Sequence, residues 1–254
     1  MKKRGQITVF VILAIVLITA GGIAYYLTKN TNTIDDYFSH PDVKPGMDNI
    51  KNSVYECMKT TCSDSLDIIG IQGGYYKQPQ EFFDLKGSFL PYYYNRGNFL
   101  MPATSEIQNQ LGLYVDDNLN SCLENIKISD FSLSYTKPKT KAIINKEDVT
   151  FKIDMPILVK KTDKTTRLEL KDNSVSIQSK LFEMLEIAKF ITDSHKEDPN
   201  RLCINCILNI AKERNLYVYM AGFDYNNTIF ISISANQTNV FPSVFQFLNK
   251  YSEV

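Results

Sequence analysis

The chain has 254 residues, with 28 basic and 28 acidic side chains, two histidines, five cysteines and no tryptophan. Hydrophobic residues make up 44%, enough to bury a core, which excludes a disordered chain. Zero net charge excludes a nucleic-acid binder that works by neutralising phosphates, and two histidines exclude a histidine-rich metal site.

The charge is unevenly placed. Lys2, Lys3 and Arg4 precede an uncharged run from Gly5 to Thr28. Its core, Ile7 to Leu27, is 21 residues, and a helix rising about 1.5 Å per residue carries that length across a hydrocarbon layer of about 30 Å. The basic triplet favours a cytoplasmic N-terminus, and Tyr25 and Tyr26 suit the far headgroup region. Residues 6–28 are therefore expected to contact the lipid bilayer, with the rest of the chain, 25 basic against 28 acidic residues once the triplet is set aside, outside the cytoplasm. The segment reads as an uncleaved anchor or as a signal peptide cut after Gly22-Ile23-Ala24. A third fate rests on Lys3-Arg4-Gly5-Gln6-Ile7-Thr8-Val9-Phe10, which resembles the class III signal of archaeal type IV pilin-like proteins. That resemblance implies a processing junction between Gly5 and Gln6. The pattern departs from the family at Phe10, where pilins carry a glutamate used in filament assembly. The whole chain is also similar to a group of membrane-anchored proteins from small-genome archaea, through Gly5–Phe10, Ile69–Tyr76 and Pro91–Tyr94. This resemblance implies a location and brings no catalytic residues with it.

Residues 29–46 read as a linker, since Asn30, Asn32, Asp35, Asp36, Pro41, Pro45 and Gly46 form turns or interrupt helices. A single α+β domain is expected over 47–254. Its first helix covers 47–70, where Ile50, Val54, Cys57, Met58, Cys62, Leu66 and Ile69 recur at three- and four-residue steps. Gly70, Gly73 and Gly74 stop it; a phosphate cradle would need a preceding strand and a nearby Lys. Residues 75–103 are aromatic and read as irregular, with Tyr75, Tyr76, Tyr92, Tyr93 and Tyr94 as candidate binding aromatics or as packing for a loop. A second helix covers 104–126, with Ser105 and Gln108 as a capping box and Ile107, Leu111, Val115, Leu119, Cys122, Leu123 and Ile126 on its apolar face. Asp116, Asn118 and Asn120 have the spacing of calcium-loop ligands, but Ser121 and Lys127 stand where that loop needs Gly and Glu.

Residues 131–177 switch to a two-residue period, through Phe131, Leu133 and Tyr135, then Val149 to Val159, Leu168, Leu170, Val175 and Ile177. One antiparallel sheet is expected, with hairpin turns at 145–148 and 161–164. Helices follow over 179–193 and from Pro199 to about Arg214. A hairpin of 216–223 and 228–234 turns at Asn226-Asn227, and 240–248 reads as a closing strand.

Outside the cytoplasm, cysteines can pair. Cys57 or Cys62 is expected to bond Cys122 and tie the two early helices. Cys203-Ile-Asn-Cys206 packs or bonds to itself by default; a thioredoxin-like reading lacks the preceding strand. Zinc held by Cys57, Cys62, Cys203 and Cys206 is disfavoured by the helical Cys57–Cys62 spacing. His195 lies at a helix end, where a cation is favoured; His40 lies in the linker. Asn226 and Asn236 begin glycosylation sequons. No nucleophile motif is present, so no catalytic residue, metal or cofactor is assigned. The sequence supports an α+β, single-pass, extracytoplasmic protein: a transmembrane helix, a helical segment, an antiparallel sheet, two further helices and a C-terminal hairpin. Its role reads as structural or interactive at the cell surface, with a homo-oligomer or a surface protein as partner. The alternatives are a binding module using 75–103 and an anchored thiol-dependent redox enzyme.

Overall fold

The computed structural model describes residues 44–127, 130–162, 164–168, 174–197, 202–224, 227–236 and 239–252. The expected membrane segment, the Gly5–Gln6 junction, His40 and Pro199 lie outside them. Among the described residues no helix is long and apolar enough to cross a membrane. The architecture is α+β. By internal contacts the body divides into two units. One holds the start of the first helix, up to Asn52, and one small sheet; the other holds the rest.

Helix α1 runs Lys44–Ile71, three residues earlier than the apolar period alone suggests. Pro45 lies in its first turn, where the missing N–H has no helical partner to lose, so it starts the helix instead of breaking it. All seven residues of the expected stripe, Ile50 to Ile69, are buried. The helix ends because Gly73 and Gly74 take φ of +51° and +88°, a left-handed stop in which Gly74 N–H donates to the Ile69 carbonyl at 2.7 Å. Gly70 and Gly73 have a second task. A Cβ on either would lie 2.2 Å from the Val244 carbonyl oxygen or 2.4 Å from that of Gln246, so their bareness lets the end of α1 seat against the last strand.

The segment expected to be irregular contains three strands: β1 (Phe82–Asp84), β2 (Phe89–Asn95) and β3 (Asn98–Phe99). β2 and β3 form a two-residue hairpin in which Arg96 and Gly97 both have positive φ, the geometry that matches strand twist. Helix α2 follows at Thr104–Glu124. Its N-cap is Ala103, without a side-chain cap, so the expected Ser105 box is absent. Gln108 instead accepts from the Ile144 N–H at 3.0 Å.

The period-two region forms two sheets where one was expected. β5 (Lys139–Ile144), β6 (Asp148–Asp154) and β9 (Ser174–Gln178) make one; β4 (Ser132–Tyr135), β7 (Ile157–Lys161) and β8 (Lys164–Leu168) make the other. The apolar alternation runs unbroken from Val149 to Val159, and all six residues are buried. Pro156 has no N–H to continue a ladder, and the chain leaves the first sheet there for the second. Both sheets are antiparallel, and the expected turns fall between β5 and β6 and between β7 and β8. In the first unit, the β4-β7-β8 sheet buries Ile157, Val159 and Leu168. Lys161 Nζ sits 4.9 Å from the Phe131 ring centre.

In the second unit, helices α3 (Leu181–Glu197) and α4 (Ile204–Glu213) lead into β10 (Leu216–Asp224), β11 (Thr228–Ala235) and β12 (Val244–Lys250). The hairpin expected at the C-terminus is larger than that. Its strands continue into the order β1-β2-β12-β11-β10, with β3 on β2, and β2 pairs β12 in parallel. Tyr93, Phe245 and Phe247 fill the covered face, with Tyr93 and Phe247 stacked at 4.3 Å.

Cys57 and Cys122 are bonded, joining α1 to α2 across 65 residues. Closing so long a loop restrains the unfolded chain by about 4 kcal/mol in the chain-entropy picture. The paired Cys57→Ser and Cys122→Ser variant is expected to lose about 2–4 kcal/mol in urea unfolding; an unchanged midpoint would show that the link restrains nothing. Gly112 on α2 faces β5, where an added Cβ would meet the Thr140 carbonyl oxygen at 2.5 Å. Gly112→Ala is therefore expected to cost about 1–3 kcal/mol. Gly222→Ala, with nothing within 4 Å, serves as the neutral comparison in the same measurement.

Candidate functional site

Three features of the second unit carry chemistry or binding capacity. The first is a sheet face. Cross-strand partners place Tyr219, Ser232 and Gln246 in one row and Tyr217, Ser234 and Val244 in the next. Ala221, Phe230 and Tyr92 lie in a third, which passes through Leu248, where the face is covered and the side chain fully buried. Alternation explains the division: Ile231, Ile233, Phe245 and Phe247 point to the buried face, so their neighbours point the other way. Tyr217 and Tyr219 are 59% and 62% exposed, more than any other large hydrophobic side chain among the described residues. Phe83, on the strand at the opposite end of the order, still meets Phe223 of β10 at 4.8 Å edge to face. Phe223 lies 6.3 Å from Phe230. The result is an aromatic and serine surface with few charges, of the composition that interfaces favour.

The second feature is a buried polar knot. His195 Nε2 lies 3.2 Å from Asn249 Nδ2 and 3.0 Å from Tyr251 Oη. Both contacts fall on Nε2, and Nδ1 has no hydrogen-bond partner among the described residues. The ring packs 5.0 Å from Tyr94. His195 is 2% exposed, and burial holds its pKa below the ordinary 6.5. The cation expected there is thus a neutral imidazole inside the core, because the end of α3 is packed under β2 and β12 residues instead of facing water.

The third feature is the Cys203–Cys206 pair, which is bonded. Cys203 is the N-cap of α4, and its Sγ accepts from the Cys206 N–H at 3.3 Å. With Cys57 bonded to Cys122, the remaining thiol is Cys62, buried in α1. Burial pushes its pKa far above the ordinary thiol range, leaving it a packing group. Three of the four cysteines of the zinc reading are consumed by these bonds. Among the described residues no group of three or more His, Cys, Asp or Glu could hold a metal. The residues with calcium-loop spacing lie on α2: Asp116 accepts from the Thr140 N–H at 2.7 Å and Asn118 donates to the Tyr114 carbonyl at 2.8 Å.

The five candidate tyrosines separate. Tyr93 and Tyr94 are core residues, with Tyr93 Oη donating to the Gly73 carbonyl at 3.0 Å. Tyr92 belongs to the open sheet face. Tyr75 and Tyr76 are half-buried on the α2 side, where Gln110 Oε1 accepts from the N–H groups of Tyr76 and Lys77 and Tyr76 meets Tyr114 edge to face. The alternation of Tyr217, Tyr219 and Phe230 is in the sequence, but which face stays uncovered is not. The chain matches no protein-family model, no curated protein and no solved structure.

A neutral buried His has a pH signature. In the unfolded chain the ring binds a proton below about 6.5, while the folded ring resists it. The unfolded state therefore binds more protons in that window, and stability falls as pH drops below about 6.5 by up to about 1.4 kcal/mol per pH unit. His195→Gln is expected to be less stable at pH 7.5 and to lose less on acidification to pH 5. An identical pH slope in variant and parent unfolding curves would remove His195 as the cause.

Proposed function

We propose that the protein is a single-pass, membrane-anchored extracytoplasmic protein with a structural or interaction role at the cell surface. Its N-terminal segment is processed in pilin-like fashion between Gly5 and Gln6. The observation that carries the interaction role is the uncovered aromatic face of the β1-β2-β12-β11-β10 sheet, with Tyr217 and Tyr219 at its most exposed edge. Anchoring and orientation rest on the uncharged run behind Lys2, Lys3 and Arg4. The Cys57–Cys122 bond between two packed helices supports an oxidising compartment. Of segment 75–103, Tyr92 and Phe83 contribute to this face, while Tyr93 and Tyr94 are core.

Protease added to intact cells is expected to degrade the folded body and leave a membrane-embedded fragment, and mass spectrometry of the mature protein is expected to begin at Gln6. A body protected until lysis overturns the orientation. A start at Tyr25 means release, and a start at Met1 means an uncut anchor. A photo-crosslinking residue at position 219 is expected to form discrete adducts on intact cells while the same residue at exposed position 127 forms none. Equal labelling at both positions would remove the interaction face.

A further inference from the structure

We propose that the Cys203–Cys206 disulfide is a thiol–disulfide exchange site that accepts two electrons from a dithiol on a second protein. The two disulfides of the body differ in kind. Cys57–Cys122 closes a separation of 65 residues and Cys57 is buried. Cys203–Cys206 closes a separation of three, so it restrains little of the unfolded chain, and Cys203 is exposed. A bond that does little for folding and faces solvent is placed for chemistry.

The local geometry favours the exchange. Cys203 stands at the N-cap, and its Sγ already accepts the Cys206 N–H. The Cys206 N–H and the positive end of the helix dipole then stabilise this sulfur when it carries negative charge. Ile204, between the two cysteines, is 53% exposed, and Leu208, one turn on, is 46% exposed. They set an apolar strip beside the sulfurs for a partner chain. The steps balance. A partner thiolate attacks Cys203 Sγ; a bond forms between those sulfurs, the Cys203–Cys206 bond breaks, and Cys206 leaves as a thiolate that takes up a proton. The partner's second thiol, deprotonated, attacks its own sulfur in the mixed disulfide. The partner disulfide forms and Cys203 leaves as a thiolate at the helix N-terminus. Two electrons have passed from the partner, which is oxidised, to the pair, which is reduced. This site is independent of the sheet face and of the membrane anchor.

The test uses the full chain in detergent micelles, equilibrated with mixtures of reduced and oxidised dithiothreitol, then alkylated and mapped by peptide mass spectrometry. Cys203 and Cys206 are expected to become labelled together at a ratio of reduced to oxidised dithiothreitol about tenfold or more below the one that opens Cys57–Cys122. Cys206→Ser is expected to trap a mixed disulfide with a synthetic peptide supplied as its disulfide, the Cys203 thiolate attacking one peptide sulfur and releasing the other as a thiolate; Cys203→Ser is expected to trap far less. The thermal transitions of both variants are measured alongside, so that misfolding is recognised. Opening of both disulfides at the same ratio, opening of Cys203–Cys206 only in denaturant, or equal trapping by two folded variants would each overturn the proposal.

Discussion

The apolar stripe of α1 is the constraint on which the second unit depends. From Val54 to Ile69 it is buried without interruption, and each end of that stretch fastens a different part of the chain. Near its start, Cys57 carries the covalent link to α2. At its end, Gly70 and Gly73 bring the helix against the carbonyls of Val244 and Gln246. One amphipathic helix thus receives α2 on one side and the last strand on another, and close approach at both places is bought with small or covalently bonded residues. Bulk at Gly70 would act on β12, a strand from the far end of the sequence.

The five cysteines are allotted to three environments, and the environments decide what the sulfur can do. Cys62 has no sulfur partner and sits in the apolar stripe, where burial suppresses the thiolate. Cys57 and Cys122 connect distant segments, so their bond acts on folding. Cys203 and Cys206 are neighbours at a helix start, so their bond acts on almost nothing except its own reactivity. The polar knot at His195 follows the same logic for protons. A titratable ring is kept neutral by burial among Tyr94, Asn249 and Tyr251, at the cost of acid sensitivity.

How much of this was legible depended on whether periodicity was the deciding signal. The stripe of α1, the apolar face of α2 and the alternation from Val149 to Val159 are strong patterns, and those residues are buried as their spacing implies. Segment 89–95 misleads because Phe-Leu-Pro-Tyr-Tyr-Tyr-Asn has no two-residue alternation and carries a proline. It is a strand because β1 and β12 flank it, and Pro91 lies where β2 pairs with Phe82 of β1. The division into two sheets turned on the single missing N–H of Pro156, which hydrophobic pattern does not register. The cap of α2 failed for a related reason: Ser105 has the right chemistry, but the chain enters the helix two residues earlier, at Ala103. For the candidate site, shared helix faces narrowed the partner of Cys122 to Cys57 or Cys62 without choosing between them, whereas the open sheet face was invisible. Tyr217 and Tyr219 alternate as core residues also do, and only the packing of the other elements shows which side stays wet.

The parallel pairing of β2 with β12 has a kinetic meaning. β2 ends at Asn95 and β12 begins at Val244, so most of the body is made before the two can meet. A chain synthesised from its N-terminus holds β1, β2 and β3 as a small ribbon, its buried face unfilled, until the last strand arrives with Phe245 and Phe247. Contacts of such long sequence separation slow folding, because the loop entropy is lost before the pairing is gained. The stacking of Tyr93 on Phe247 is therefore a late event, one that waits on the synthesis of β12.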